Sequence, residues 1–171
     1  MKTRPNNAML QLLGGDPEFL EPSSILMPDA LVALATSGFK EVDGCVVPAS
    51  YRDNSIWTSE RPRVINTDDE TGFECSLSET SIENFFEEEI GLQELARTGH
   101  DFAFLLGRQL LQSGIDGSFR IIVCARHADA DLRVRENCTV RYHKLRSGQV
   151  WLDDNLEAYK EEAIAALDFT P

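Results

Sequence analysis

The sequence predicts a single α+β domain, with an antiparallel sheet and helices packed mainly on one face of it. Helix-like and strand-like runs alternate in blocks, no linker or low-complexity segment divides the chain, and 171 residues suit one hydrophobic core. The 42% of hydrophobic and 26% of charged residues are typical of a folded protein. We therefore treat residues 1–171 as one domain, in which residues 1–23 are expected to be a loosely ordered N-terminal segment.

The first half of the chain predicts one helix and a meander of short strands. Residues 27–37 carry apolar side chains at helical spacing, with Pro28 in the first turn and Gly38 after the end. The runs FKEV and CVVP flank Asp43 and Gly44, a pair that suits the positive φ angles of a tight hairpin turn. Three further strand-like runs complete the meander, at residues 55–59, 63–67 and 73–77.

The second half predicts two helices, a C-terminal hairpin and a closing helix. Thr80 and Glu83 have the spacing of a capping box and begin an apolar stripe that continues to residue 97. Residues 101–113 are apolar nearly all round, which predicts the most buried helix. The remaining elements are strands at residues 118–127 and 132–145 and a last helix at residues 154–167.

Charge is distributed unevenly along the chain. The formal net charge is −13, yet residues 118–148 hold seven Lys or Arg against three acids. An acidic excess of this size repels nucleic acids and anionic membranes at long range and favours a basic partner. We therefore expect neither a nucleic acid nor a membrane among the partners.

The hairpin is predicted to carry a cationic face. Alternate side chains of a strand share a face, and pairing the apolar faces puts Val134 opposite Ala125 and Arg133 opposite Arg126. This register leaves Glu136 on the core side. We expect acids of the same chain or of a symmetry mate to cover the cationic face, with a surface for an anionic partner as the alternative. Its members are Arg126, Arg133, Arg135, Arg141 and His143.

A dense acidic surface is predicted on the helix at residues 80–97. Glutamates at i and i+4, such as Glu83 and Glu87, repel each other on a helix, and a basic partner would relieve that repulsion. The acidic surface comprises Glu83, Glu87, Glu88 and Glu89, together with Asp68, Asp69 and Glu70 of the preceding loop.

No stretch of the sequence has a catalytic or cofactor signature. The four cysteines stand singly, without the paired spacing of a zinc site or a disulfide framework. We weighed a nucleophilic pair of Cys124 or Cys138 with His143, and a metal site of His127 and His143 with Glu74 or Asp129. Buried reduced thiols and ordinary histidines explain the same residues more simply. We expect no catalytic residues, no cofactor and no metal.

The sequence also bears on cellular location. The apolar stretch near the N-terminus is too short for a signal peptide, and no segment reaches the roughly 18 apolar residues of a membrane span. The expected location is the cytoplasm.

The function that fits these observations is a non-enzymatic protein-binding module. We expect an immunity protein or antitoxin that binds a basic toxin or effector through its acidic surface. The order of helices around a small sheet also resembles, in outline, that of secretion-type chaperones. A homodimeric domain and an enzyme with a cryptic Cys/His or metal site are the remaining alternatives.

Overall fold

A computed structural model describes residues 1–15, 27–51, 69–128 and 135–171. Strands β1, β7, β5, β6 and β4 form, in that order, one antiparallel sheet, and β2 and β3 form a separate hairpin. The elements in chain order are β1 (Lys2–Pro5), α1 (Asn7–Leu12), α2 (Asp29–Thr36), β2 (Phe39–Val42), β3 (Cys45–Pro48), α3 (Glu70–Leu77), β4 (Thr80–Ser81), a 3₁₀ helix (Ile82–Phe85), α4 (Leu92–Gln112), β5 (Phe119–Arg126), β6 (Asn137–Lys144), a second 3₁₀ helix (Leu156–Ala158) and β7 (Ala163–Phe169).

The predicted fold class is confirmed: the chain is a single α+β domain with an antiparallel sheet. Helices α1, α2 and α4 contribute to the large core on one sheet face, which we call the core face. A smaller cluster covers the opposite face, where α3 supplies Cys75 and the segment before β7 supplies Leu152 and Leu156. None of the described helices has the length and apolar character needed to cross a membrane.

The early predictions of one helix and one hairpin are confirmed by α2 and by β2–β3. Asp43 and Gly44 have φ angles of 50° and 78°, the conformation that this turn requires. The predicted strand at residues 73–77 is wrong, because these residues belong to α3. Asp69 caps that helix by accepting the Gly72 N–H at 2.7 Å, a local bond that overrides the strand-like side chains. The predicted strands at residues 55–59 and 63–67 lie outside the described residues.

The two predicted helices at residues 80–97 and 101–113 are wrong in their boundaries. A single helix, α4, runs from Leu92 to Gln112, and residues 80–85 form β4 and a 3₁₀ helix instead. The capping-box interpretation fails because the Glu83 carboxylate accepts the backbone N–H of Cys138 at 3.1 Å, on a different strand. Glu136 accepts the N–H of Leu92 at 3.0 Å and so satisfies the first turn of α4.

Helix α4 lies very close to the sheet at two glycines. A Cβ atom on Gly99 would stand 2.6 Å from the Cys138 sulfur, and one on Gly107 would stand 2.3 Å from the Phe169 ring. Only glycine leaves room for these contacts, because any larger residue would have to push the helix and the sheet apart.

The predicted closing helix is wrong, because residues 163–169 form strand β7 between β1 and β5. All but one of its residues are buried, since it lies inside the sheet with a packed cluster on each face. A strand buried on both faces reads as a continuous apolar run, which periodicity alone cannot separate from a helix.

The C-terminal hairpin forms with the predicted faces but a different register. Ala125 pairs with Cys138 and Arg126 with Asn137, four residues away from the predicted pairing of Ala125 with Val134. A shift by an even number of residues keeps every side chain on its face. Glu136 therefore lies before β6 and not among the core-side residues of that strand.

Residues 1–15 form β1 and α1, which differs from the loosely ordered segment expected there; residues 16–23 lie outside the described part. Asn6 secures this end because its buried amide is fully used. Its Oδ1 accepts the N–H groups of Met9 and Ile164 at 2.9 and 3.0 Å, and its Nδ2 donates to the carbonyl of Glu162 at 2.8 Å.

Candidate functional site: an acidic cleft beside a neutralised arginine face

The sheet face opposite the core face carries the predicted cationic side chains, and we call it the arginine face. Acids of the same chain pair with its cations, as expected. Arg126 pairs with Glu162. Arg141 pairs with Glu79 at 2.6 Å, and Arg120 pairs with Asp168 at 2.7 Å. These described arginines are therefore neutralised within the chain.

The structure does not place two predicted members of the cationic face on the arginine face. Arg135 precedes β6 and lies at the cleft described below, where its guanidinium contacts Glu89 at 3.3 Å. Arg133 lies outside the described residues.

His143 is on the arginine face but is buried rather than available to a partner. Its Nδ1 lies 3.0 Å from the carbonyl oxygen of Lys144, and its Nε2 has no hydrogen-bond partner among the described residues. Burial lowers the pKa of His143, partly offset by the Lys144 carbonyl and by Glu74. The ring is therefore uncharged at neutral pH.

Side chains of residues 74–83 complete the outer edge of β6. Ser78 Oγ accepts the N–H of Tyr142 at 2.9 Å and donates to the carbonyl of the same residue at 3.1 Å. Glu74 accepts the N–H of Lys144 at 2.8 Å, and Glu83 accepts that of Cys138. Glu83 is therefore a structural residue, which no local pattern in the sequence indicated.

Glu74 is a fully buried carboxylate that joins the β2–β3 hairpin to the sheet. Its two oxygens each lie 2.7 Å from an Arg146 nitrogen, in a bidentate pair, and Oε1 also accepts the N–H of Val46 at 2.5 Å. Arg146 also donates to the carbonyl of Gly44 at 2.6 Å. This network occupies both carboxylate oxygens, so Glu74 has no place in a metal site.

The predicted acidic loop is structural where it is described. Asp69 caps α3, and Glu70 accepts a hydrogen bond from Gln149 Nε2 at 2.5 Å. Asp68 lies outside the described residues. Asp69 and Glu70 do not line the cleft that contains the glutamates at residues 87–89.

Glu87, Glu88 and Glu89 lie on the rim of a cleft of about 720 Å³. They are exposed and stand in the irregular segment between the first 3₁₀ helix and α4, not on a helix as predicted. The floor is apolar and consists of Phe86, Ile90 and Leu95. We call this feature the acidic cleft; its described lining also includes Glu83, Glu136 and Arg135.

The glutamates of the acidic cleft differ in how they are held. Glu83 and Glu136 are fixed by the backbone N–H groups of Cys138 and Leu92. Glu89 makes an exposed ion pair with Arg135. Glu87 and Glu88 form no hydrogen bond or ion pair within the part of the chain that the structure describes. The cleft thus combines two acids fixed by backbone N–H groups with two rim acids that have no partner among the described residues.

A comparison with protein-family models decides the family. The model described as the Uncharacterized protein PM0498 family matches residues 5–171. The chain belongs to the PM0498 family. No curated protein and no solved structure matches it. The family match includes the acidic cleft, β5, β6 and every other described strand except the first residues of β1.

Three cysteines of this PM0498 family member, Cys75, Cys124 and Cys138, are thiols held in their protonated form. Burial raises the pKa of Cys75 and of Cys138, and burial together with Glu162 raises that of Cys124 to about 12. A nucleophilic cysteine needs the opposite shift. Cys138 also lies on the core face, away from His143 on the arginine face.

The described members of the metal site considered above are not grouped together. His127 is exposed and lies 3.7 Å from Glu136, whereas His143 is buried beside Lys144. Among the described residues, no three side chains of His, Cys, Asp or Glu are grouped to hold a metal ion. Asp129 lies outside the described part.

Proposed function

We propose that the chain is a non-enzymatic protein-binding module, of the immunity-protein or antitoxin type, that binds a basic partner protein at the acidic cleft. The observation that carries this proposal is the pair Glu87 and Glu88, two exposed carboxylates without described partners, directly beside an apolar floor. Apolar contact and cation binding can thus occur together in one place.

The segment that carries the cleft glutamates is fixed at both ends before a partner binds. Glu83 anchors the 3₁₀ helix to β6, and Glu136 anchors the start of α4, so both ends of the intervening segment are fixed. The like charges of Glu87, Glu88 and Glu89 stay close together even when no cation is bound. A cationic side chain that enters gains attraction to all three and relieves their mutual repulsion.

The exposed pair of Glu89 and Arg135 fits a binding role. Both side chains are highly exposed, and exposed ion pairs contribute no more than about 1 kcal/mol. A partner's Lys or Arg can therefore replace Arg135 at little loss. The net charge of −13 would also steer a basic partner toward the chain over long distances.

The apolar floor favours a protein segment over a small cation. Phe86 and Ile90 are partly buried against the main core, and Leu95 is buried within it. These side chains can receive an aliphatic or aromatic anchor, while the rim receives Lys or Arg. Central apolar anchors surrounded by polar contacts are the usual arrangement of a protein interface.

Site-specific photo-crosslinking tests this function. A photoreactive residue replaces Glu88 in one variant and Glu161, an exposed acid outside the cleft, in a matched control, and both are expressed in the source cell. We expect position 88 alone to yield a protein adduct, whose partner has a basic isoelectric point. No adduct at position 88, equal adducts at both positions, or an acidic partner would overturn the proposal.

A further inference from the structure

Two arginines on the arginine face share the carboxylate of Asp168. Arg4 of β1 and Arg120 of β5 lie on the two strands beside β7, and both contact its Asp168. Arg120 makes the closer contact, with Nε and Nη2 at 2.7 and 3.1 Å from the two oxygens, and Arg4 Nη2 lies 3.5 Å away. Their side chains are 22% and 13% exposed, so both guanidinium groups are largely withdrawn from water.

Asp154 provides the second negative charge at this place. Its Oδ1 lies 3.0 Å from Arg4 Nη1 and 3.5 Å from Arg120 Nη1, between the two guanidinium groups. The Asp154 side chain is nevertheless 81% exposed, so one oxygen enters the site while the rest faces solvent. Contact with Arg4 and Arg120 lowers the pKa of Asp154, which keeps it ionised.

The charges in this cluster balance only while Asp154 stays in place. Asp168 is fixed in the sheet and neutralises one of the two arginines. The second arginine is balanced by an exposed aspartate on an irregular segment. Arg4 Nε is also buried without a hydrogen-bond partner among the described residues, so the site retains an unused donor.

The backbone around Asp154 does not depend on its carboxylate. Leu152 and Leu156, two residues before and after it, are buried in the small cluster on the arginine face. Asp153 lies next to it and donates its N–H to the Tyr159 hydroxyl at 3.0 Å. A side-chain rotation of Asp154 would therefore open the site without moving the segment.

We propose that Arg4 and Arg120 form an oxyanion-binding site, in which Asp154 is an internal occupant that a phosphate or carboxylate group displaces. The Asp154 oxygen shows the position that a ligand oxygen would take, between two cations that can donate several hydrogen bonds. A ligand oxygen that replaces it restores the charge balance and keeps both arginine contacts. The site lies on a different surface from the acidic cleft and does not depend on the protein-binding function.

The test opens the site by removing the internal competitor. Asp154→Asn keeps the shape of the side chain and deletes its charge, and Asp153→Asn makes the same change at the next residue, whose carboxylate accepts only the N–H of Asn155 among the described contacts. Binding of inorganic phosphate and of acetate is measured by calorimetry and by thermal unfolding at constant ionic strength. We expect the Kd of at least one anion to fall threefold or more in Asp154→Asn and to stay unchanged in Asp153→Asn.

A second variant assigns the binding to the arginines. Adding Arg4→Gln to Asp154→Asn should abolish the gain in anion affinity, while the circular dichroism spectrum stays that of the folded protein. A lower Kd for phosphate alone identifies phosphate groups as ligands, and a lower Kd for acetate identifies carboxylates as ligands. Equal anion binding by the Asp154→Asn and Asp153→Asn variants, or a gain that survives Arg4→Gln, would overturn the proposal.

Discussion

At the residue scale, burial rather than charge decides what the singled-out side chains do. His143 and Glu83 both belong to strongly charged sequence runs, yet one is a buried neutral imidazole and the other a carboxylate bound to a backbone N–H. A one-dimensional pattern shows which residues are ionisable but not which backbone groups they meet. Glu87 and Glu88 keep the exposure that the sequence suggested because they stand in an irregular segment at the surface.

His143 gives a pH-dependent contribution to stability. Because burial lowers its pKa in the folded state, the unfolded chain binds the proton more tightly. The free energy of unfolding should therefore decline as the pH falls below the unfolded value of about 6.5. Urea unfolding at pH 7.5 and 5.5 should show a smaller decline for His143→Gln than for the wild type. His127→Gln, at an exposed histidine, should decline like the wild type; equal declines in all three would refute this role.

At the element scale, the sequence predicts well where local signals decide the structure. The Asp43-Gly44 hairpin, α2 and the faces of β5 and β6 follow from turn chemistry and side-chain alternation. The strand β7 does not, because it is buried on two faces. The helix α3 was missed because its local cap, Asp69, was interpreted as part of an acidic loop. The sequence predicted several glutamates of the acidic cleft. It did not predict the apolar floor, which depends on the position of α4.

The Glu74 network should dominate the attachment of the β2–β3 hairpin. Glu74→Gln leaves Arg146 without its buried countercharge and should lower the free energy of unfolding by about 3 kcal/mol. Glu41→Gln removes an exposed partner of Lys144 on the same hairpin and should cost less than about 1 kcal/mol. Denaturant unfolding at pH 7 measures both. Similar losses for the two variants would contradict the assigned role of Glu74.

The contact between α4 and the sheet should tolerate no side chain at Gly99. Gly99→Ala would place a methyl group against Cys138 and Val123, and we expect a loss of about 1–3 kcal/mol despite the better helix propensity of alanine. At Gly91, the N-cap of the helix, a Cβ would meet nothing within 4 Å, so Gly91→Ala is the control and should cost less than about 1 kcal/mol, the loss expected from a poorer N-cap residue. A stabilised Gly99→Ala variant would show that the helix lies farther from the sheet.

At the scale of the whole molecule, many of the acids bind cations or backbone N–H groups of the same chain, and others do not. Described acids on the arginine face neutralise its cations, and others cap α3 and α4, so their charges serve the fold. Glu87 and Glu88 have no such role among the described contacts, and both lie at the acidic cleft. Most described cations of residues 118–148 are therefore neutralised within the chain. The partner we expect is basic.

The association rate with the crosslinked partner tests this account most directly. One variant reverses Glu87, Glu88 and Glu89 to Lys, and a control reverses Asp29, Asp116 and Glu161, three exposed acids outside the cleft, with the same change in net charge. Stopped-flow measurements at low and high salt compare both with the wild type. We predict that the cleft variant associates about tenfold or more slowly at low salt, well beyond the control, and that added salt narrows the difference. Equal rates for the two variants, or a wild-type rate indifferent to salt, would contradict the acidic cleft as the binding site.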